Sequence, residues 1–132
     1  MSAEIYWLTI TATMTSLLWV PYLIDRTIVR GLMGVFGNPQ PDDAPQSIWA
    51  QRAMAAHRNA TGNLVLFAIA AFTLQLTSTG NDMTATAAFI FFCARLVHFV
   101  LQTMGIPVLR TLAFLVGWIC FLFMALTSVS MI

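Results

Sequence analysis

The residues of this chain most able to do chemistry are three groups of polar side chains set against apolar runs. In residues 49–63, Arg52, His57, Arg58, Asn59 and Asn63 lead straight into the apolar stretch 64–76. Arg95 and His98 lie inside a second apolar stretch, and Arg110 stands at the head of a third. Arginine presents a planar fork of donors that matches a carboxylate. Placed where headgroups give way to hydrocarbon, such residues suit an anionic ligand that is polar at one end and greasy at the other. Helical spacing decides whether the groups can converge. Arg52, Ala55, Ala56, Asn59, Gly62 and Asn63 share one helix face, and Arg95, His98, Phe99 and Gln102 form a comparable stripe. If the two faces meet, within a bundle or between subunits, they line an anion pocket closed by Arg110.

The elements that must position these residues are membrane spans. Hydrophobic residues make up 59% of the chain and charged ones 8%, with a mean hydropathy of +0.82, far outside the usual globular range. A helical span takes ~20 apolar residues. The 132 residues therefore divide into one all-α domain of four spans, at about 5–28, 48–77, 82–104 and 107–131. The longest connection, 30–46, carries Gly31, Gly34, Gly37, Pro39, Pro41 and Pro45, which is loop chemistry. In the second, residues 78–82, Asn81 or Asp82 is placed to cap the third span. The third breaks at Gly105 and restarts with Pro107 in a first-turn position.

All six basic residues are arginines. Arg26, Arg30, Arg52 and Arg58 flank the first connection and Arg110 the third, while none borders the second. The positive-inside rule therefore puts the first and third connections in the cytoplasm and both termini outside; the membrane expected is a cell inner membrane. Glu4 and the lack of a basic leader indicate a first span that is retained. A net charge of +1 implies no nucleic-acid partner. Cys93 and Cys120 fit no metal or redox spacing and read as small buried hydrophobes; no metal site is expected. Each polar residue also has a plain structural role open to it. Arg26, Arg30, Arg52 and Arg58 can snorkel to headgroups, Asn59 and Asn63 can join helices, and Arg95 can pair with Asp25 or a backbone carbonyl.

Ala56 to Asn59 leading into an apolar helix, then Arg95 to His98, then Gly105 to Arg110, resemble in order and spacing the MAPEG family, the membrane-associated proteins in eicosanoid and glutathione metabolism, in its short bacterial form. The resemblance covers nearly the whole chain. It implies a four-helix bundle assembled as a homotrimer among membrane lipids, with ligand clefts between subunits on the side of the first and third connections. It also implies glutathione, used to conjugate, reduce or isomerise a lipophilic substrate arriving from the bilayer. By family position Arg110 is the catalytic residue that holds the thiol as thiolate, with Thr111 beside it. Arg58, Asn59, Arg95 and His98 match positions that hold the peptide, and Arg30 matches a first-helix arginine.

Two departures stand against these matches. Gly62 replaces a glutamate that glutathione-using members typically carry, and Gln102 replaces a tyrosine. Glycine cannot pair with the ammonium of glutathione, and losing a charged hydrogen bond removes ~1.5 to 3 kcal/mol. Whether the chain is an enzyme is thus left open between a glutathione-dependent transferase or peroxidase and a non-catalytic scaffold that binds a lipid or a partner protein, as in the lipoxygenase-activating branch. A third reading makes His57 and His98 axial haem ligands, although His57 lies roughly 140° around the helix from Arg52.

Overall fold

The computed structural model describes residues 1–130. The regular structure of the described chain is all helical, and four of its segments are long and apolar enough to cross a membrane. The first segment is two helices, α1 (Ala3–Leu17) and α2 (Trp19–Phe36), joined at Leu18. Pro21 explains the joint. Its ring removes the N–H that would bond the Leu17 carbonyl and crowds that carbonyl. The chain tightens instead, with Leu18 N–H donating to the Thr15 carbonyl at 3.2 Å. Along α1 the hydroxyls of Thr9, Thr11, Thr13 and Thr15 each donate to the carbonyl four residues back at 2.7–2.9 Å. Lipid offers no water partner, so this internal bonding is what lets the threonines sit in a span.

The first span runs further than the glycines suggest. Instead of ending near residue 28, helix resumes after Gly31 and continues to Phe36. Gly31 itself leaves helical geometry at φ 73° and ψ 179°. Beyond it, Leu32, Met33 and Phe36 make one more turn, closed by Gly37 N–H on the Met33 carbonyl at 2.8 Å. Their apolar side chains are exposed, and a helical turn keeps their backbone groups bonded at a membrane surface. The connection is therefore residues 37–47. Three long helices follow, α3 (Ile48–Thr77), α4 (Asp82–Met104) and α5 (Pro107–Ser128). The expected end of the last span at residue 131 lies outside the described residues.

Helix ends are capped by local chemistry. Asn81 accepts from the N–H groups of Met83 and Thr84, while the Thr84 hydroxyl accepts from Asn81 N–H at 2.8 Å, a reciprocal capping box. Gly105 ends α4 at φ 78°, a left-handed conformation natural to glycine, and the Arg52 guanidinium lies against it. A cation there also complements the negative end of the α4 dipole. Ser78 ends α3 in the same left-handed region at φ 54°, where a side chain is strained.

Both buried carboxylates meet the N-terminal end of another helix, where unpaired N–H groups leave partial positive charge. At one end of the bundle Asp25 accepts from Ser47 N–H at 3.0 Å, Ser47 Oγ at 2.5 Å and Gln46 Nε2 at 3.2 Å, just ahead of α3. Arg26 donates to Gln46 Oε1 at 3.0 Å, and Arg30 donates to the Ala44 carbonyl at 2.7 Å. These bonds tie the first connection to α2. At the other end Glu4 of α1 receives the hydroxyl of Thr84 in the first turn of α4.

Between these ends, α4 and α5 form a close hairpin against α3, α1 packs on α3 and α4, and α2 rests on α3. Ala50, Ala53, Ala56 and Ala60 make a fully buried stripe on the N-terminal half of α3. Without a hydrophobic driving force between helices in lipid, such small residues earn their contact through close backbone approach. Deeper in, Phe67 and Phe91 stack at 4.2 Å between centroids, surrounded by Leu8, Leu74, Ala88 and Met124.

Two outcomes follow for thermal unfolding in detergent. Ala56→Leu is expected to lower stability by ~1 to 3 kcal/mol through overpacking of the α3 stripe. Ser78→Gly is expected to raise it by ~1 kcal/mol by relieving the left-handed cap, and an unchanged midpoint would show that the cap carries no strain.

Candidate functional site

Arg95 is the anchor of the site. It is 2% exposed, the largest of the fully buried side chains. Its Nη2 donates to Asn59 Oδ1 of α3 and approaches His98 Nδ1, one turn on, at 3.4 Å. The guanidinium stands 6.0 Å from the Phe114 ring centroid on α5, at the outer range of a cation–π contact. Gly117 of α5 packs beside the arginine stem, and a Cβ there would stand 3.6 Å from Arg95 Cδ, an ordinary van der Waals contact. Arg95 Nε is buried and has no partner among the described residues.

The neighbours are oriented in turn. Asn63 Nδ2 donates to the Asn59 carbonyl at 2.9 Å and approaches Asn59 Oδ1 at 3.4 Å, so the second asparagine steadies the first within α3 and, among the described residues of the protomer, bonds to no other helix. An arginine can only donate, so His98 Nδ1 is the acceptor and a neutral ring carries its proton on Nε2. The α4–α5 hairpin sets Phe114 against Arg95 and His98, and Arg110, one turn before Phe114 on α5, is near enough for its charge to act on His98.

The structure thus brings buried Arg95 and His98 together with half-buried Asn59 in one cluster, with Arg110 also half-buried. Asp25 is not the partner of Arg95, because its carboxylate is already taken by Ser47 and Gln46. Arg58 is exposed beside Asn59. Thr111 is exposed too, its hydroxyl turned back to the Pro107 carbonyl at 3.1 Å. Arg30 lies on α2 and reaches over to the first connection, where it pairs with Asp43 at 3.8 Å. Gly62 is exposed with open space where a Cβ would stand, so packing within the protomer does not require a glycine. Phe114 and Gly117 escape a reading of the sequence because an aromatic and a glycine in an apolar run look like packing; only the hairpin register marks them.

Two further features lie apart from the cluster. Apolar grooves between α4 and α5, of about 350 and 230 Å³, are lined by residues such as Ala87, Ile90, Cys93, Val97, Val116 and Cys120 and contain no charged group. They offer shape without polar chemistry. His57 Nδ1 bonds the Tyr22 hydroxyl at 2.8 Å, whereas His98 packs near Phe114, so the two rings sit in separate surroundings and nothing draws them toward one haem. Among the described residues no three or more His, Cys, Asp or Glu side chains are grouped to share a metal ion.

Comparison with known proteins adds the family. The sequence profile of the MAPEG family matches residues 5–130. No curated protein and no solved structure matches the chain. With nearly the full length matched and four apolar helices in the fold, the chain belongs to the MAPEG family, as a multi-pass integral membrane protein with an all-α bundle.

Proposed function

We propose that this protein is a thiol-dependent transferase or peroxidase of glutathione type, acting on lipophilic substrates at the end of the bundle that holds the first and third connections. The observation that carries the reading is the excess of positive charge there. Among the described residues Arg30–Asp43 is the only ion pair, which leaves Arg58, Arg95 and Arg110 without carboxylate partners.

The donors suit the anionic parts of glutathione. Arg58 is free to take a carboxylate in its fork, and the unpartnered Nε of Arg95 is a buried donor awaiting an acceptor. Arg110 lies in the first turn of α5, where the helix dipole adds to its charge in favouring an anion. A thiol held there is stabilised as thiolate, the form that attacks an electrophile or a peroxide. Thr111 would have to rotate away from Pro107 to help. The exposed apolar face of α3, with Val65, Leu66, Ile69 and Phe72, is available to membrane lipid or to the neighbouring subunits of a trimer.

A second reading, a scaffold binding a lipid or partner protein without catalysis, is favoured by Gly62 and Gln102, which supply neither a carboxylate nor a phenol. Ultraviolet difference absorbance separates the two. Glutathione titrated into the detergent-solubilised protein at neutral pH is expected to give a saturable thiolate band that disappears in Arg110→Ala. Arg58→Ala is expected to weaken the titration by roughly tenfold, the loss of one charged hydrogen bond. No band at millimolar thiol would leave the scaffold reading in possession.

A further inference from the structure

The charge inventory of the site is one-sided, and this restricts the thiol it accepts. Among the described residues no carboxylate pairs with Arg58, Arg95 or Arg110. Asp25 is saturated by three donors from Gln46 and Ser47. Asp43 pairs with Arg30 and accepts from Gln40 N–H at 2.8 Å, and Asp42 is exposed in the same connection. Glu4 and Asp82 are at the opposite end of the bundle, at the head of α4. Around Arg95 the polar groups are Asn59, Asn63, His98 and Arg110, none of which is an anion.

A site of this composition can satisfy carboxylates and a thiolate but offers no counter-charge to an ammonium. Asn59 Oδ1, the nearest neutral acceptor, already receives Arg95 and faces Asn63. Position 62, three residues on from Asn59 on the same side of α3, is exposed and supplies no carboxylate. Open space surrounds its Cα. An ammonium brought to this cluster would meet the guanidinium of a buried arginine in a low-dielectric setting, where like charges repel strongly.

Resting on the thiol-dependent reading above, we infer that the preferred thiol is a di-acid lacking a free ammonium, so that the amino group of glutathione is a liability here. The thiol, the carboxylates and the apolar co-substrate are unchanged by this; only the amine is selected against.

Calorimetric titration of the full-length detergent-solubilised protein tests it with two probes, glutathione and its des-amino analogue glutaryl-cysteinyl-glycine, which differ only in the ammonium. The des-amino thiol is expected to bind at least roughly tenfold tighter, the scale of one uncompensated charged group. In Gly62→Glu, which the open space accommodates, the ratio is expected to fall by roughly tenfold or to reverse. Glutathione binding as tightly as the analogue to the unmodified protein would overturn the inference while leaving thiol chemistry intact. Binding of neither at millimolar concentration would overturn both.

Discussion

Everything in this bundle is arranged around one buried cation. An arginine at the centre of a membrane helix is unfavourable by ~2.5 to 3.5 kcal/mol on insertion scales, and a hydrogen bond to a charged group returns ~1.5 to 3 kcal/mol. The bond from Arg95 to Asn59 therefore comes close to offsetting burial by itself, with Phe114 and His98 contributing the remainder. That arithmetic requires three helices to be in register. α3 must present Asn59, α4 must present Arg95 and His98 one turn apart, and α5 must bring Phe114 and Gly117 within reach. The alanine stripe of α3 and the tight α4–α5 hairpin supply the close approach.

The same rule, that charge inside a low-dielectric layer needs a specific partner, governs the ends of the bundle. Asp25 and Glu4 are each matched to the head of a helix, α3 and α4 respectively, and Arg52 is matched to the tail of α4 at Gly105. Helix dipoles thus take the place that oppositely charged side chains fill in soluble proteins. One consequence bears on function. With Asp25 and Glu4 used to fix helix ends and Asp43 paired with Arg30, Arg58, Arg95 and Arg110 have no carboxylate partner among the described residues, and the end of the bundle near Asn59 carries an excess of positive charge.

Much of this was legible in the sequence. Charges inside apolar runs mark Arg95 and His98 as inward-facing, turn chemistry marks Gly105 and Pro107, and the 3.6-residue period places Asn59 and Arg95 on faces able to meet. The partners were harder to read. Asp25 looks like a candidate for Arg95 because both are isolated charges in apolar surroundings, yet its bonds go to Gln46 and Ser47, more than twenty residues away in an irregular connection. The extra helical turn to Phe36 was hidden by glycines that read as loop. Asn63 looked like a link between helices and instead holds Asn59 in its own helix. For Asp25 the deciding information is tertiary, which residue spacing along one helix does not contain; for Phe36 and Asn63 it is a choice between local alternatives that residue type leaves open.

The measurement closest to the centre of these conclusions is a double-mutant cycle on unfolding in detergent with Asn59→Leu, Arg95→Met and the pair together. If the arginine is held in the bundle by Asn59, the two changes are coupled by ~1 kcal/mol or more, because either one alone removes the same bond. Additivity to within ~0.5 kcal/mol would show that Arg95 is buried for another reason, and the cluster would have to be rebuilt around a different partner.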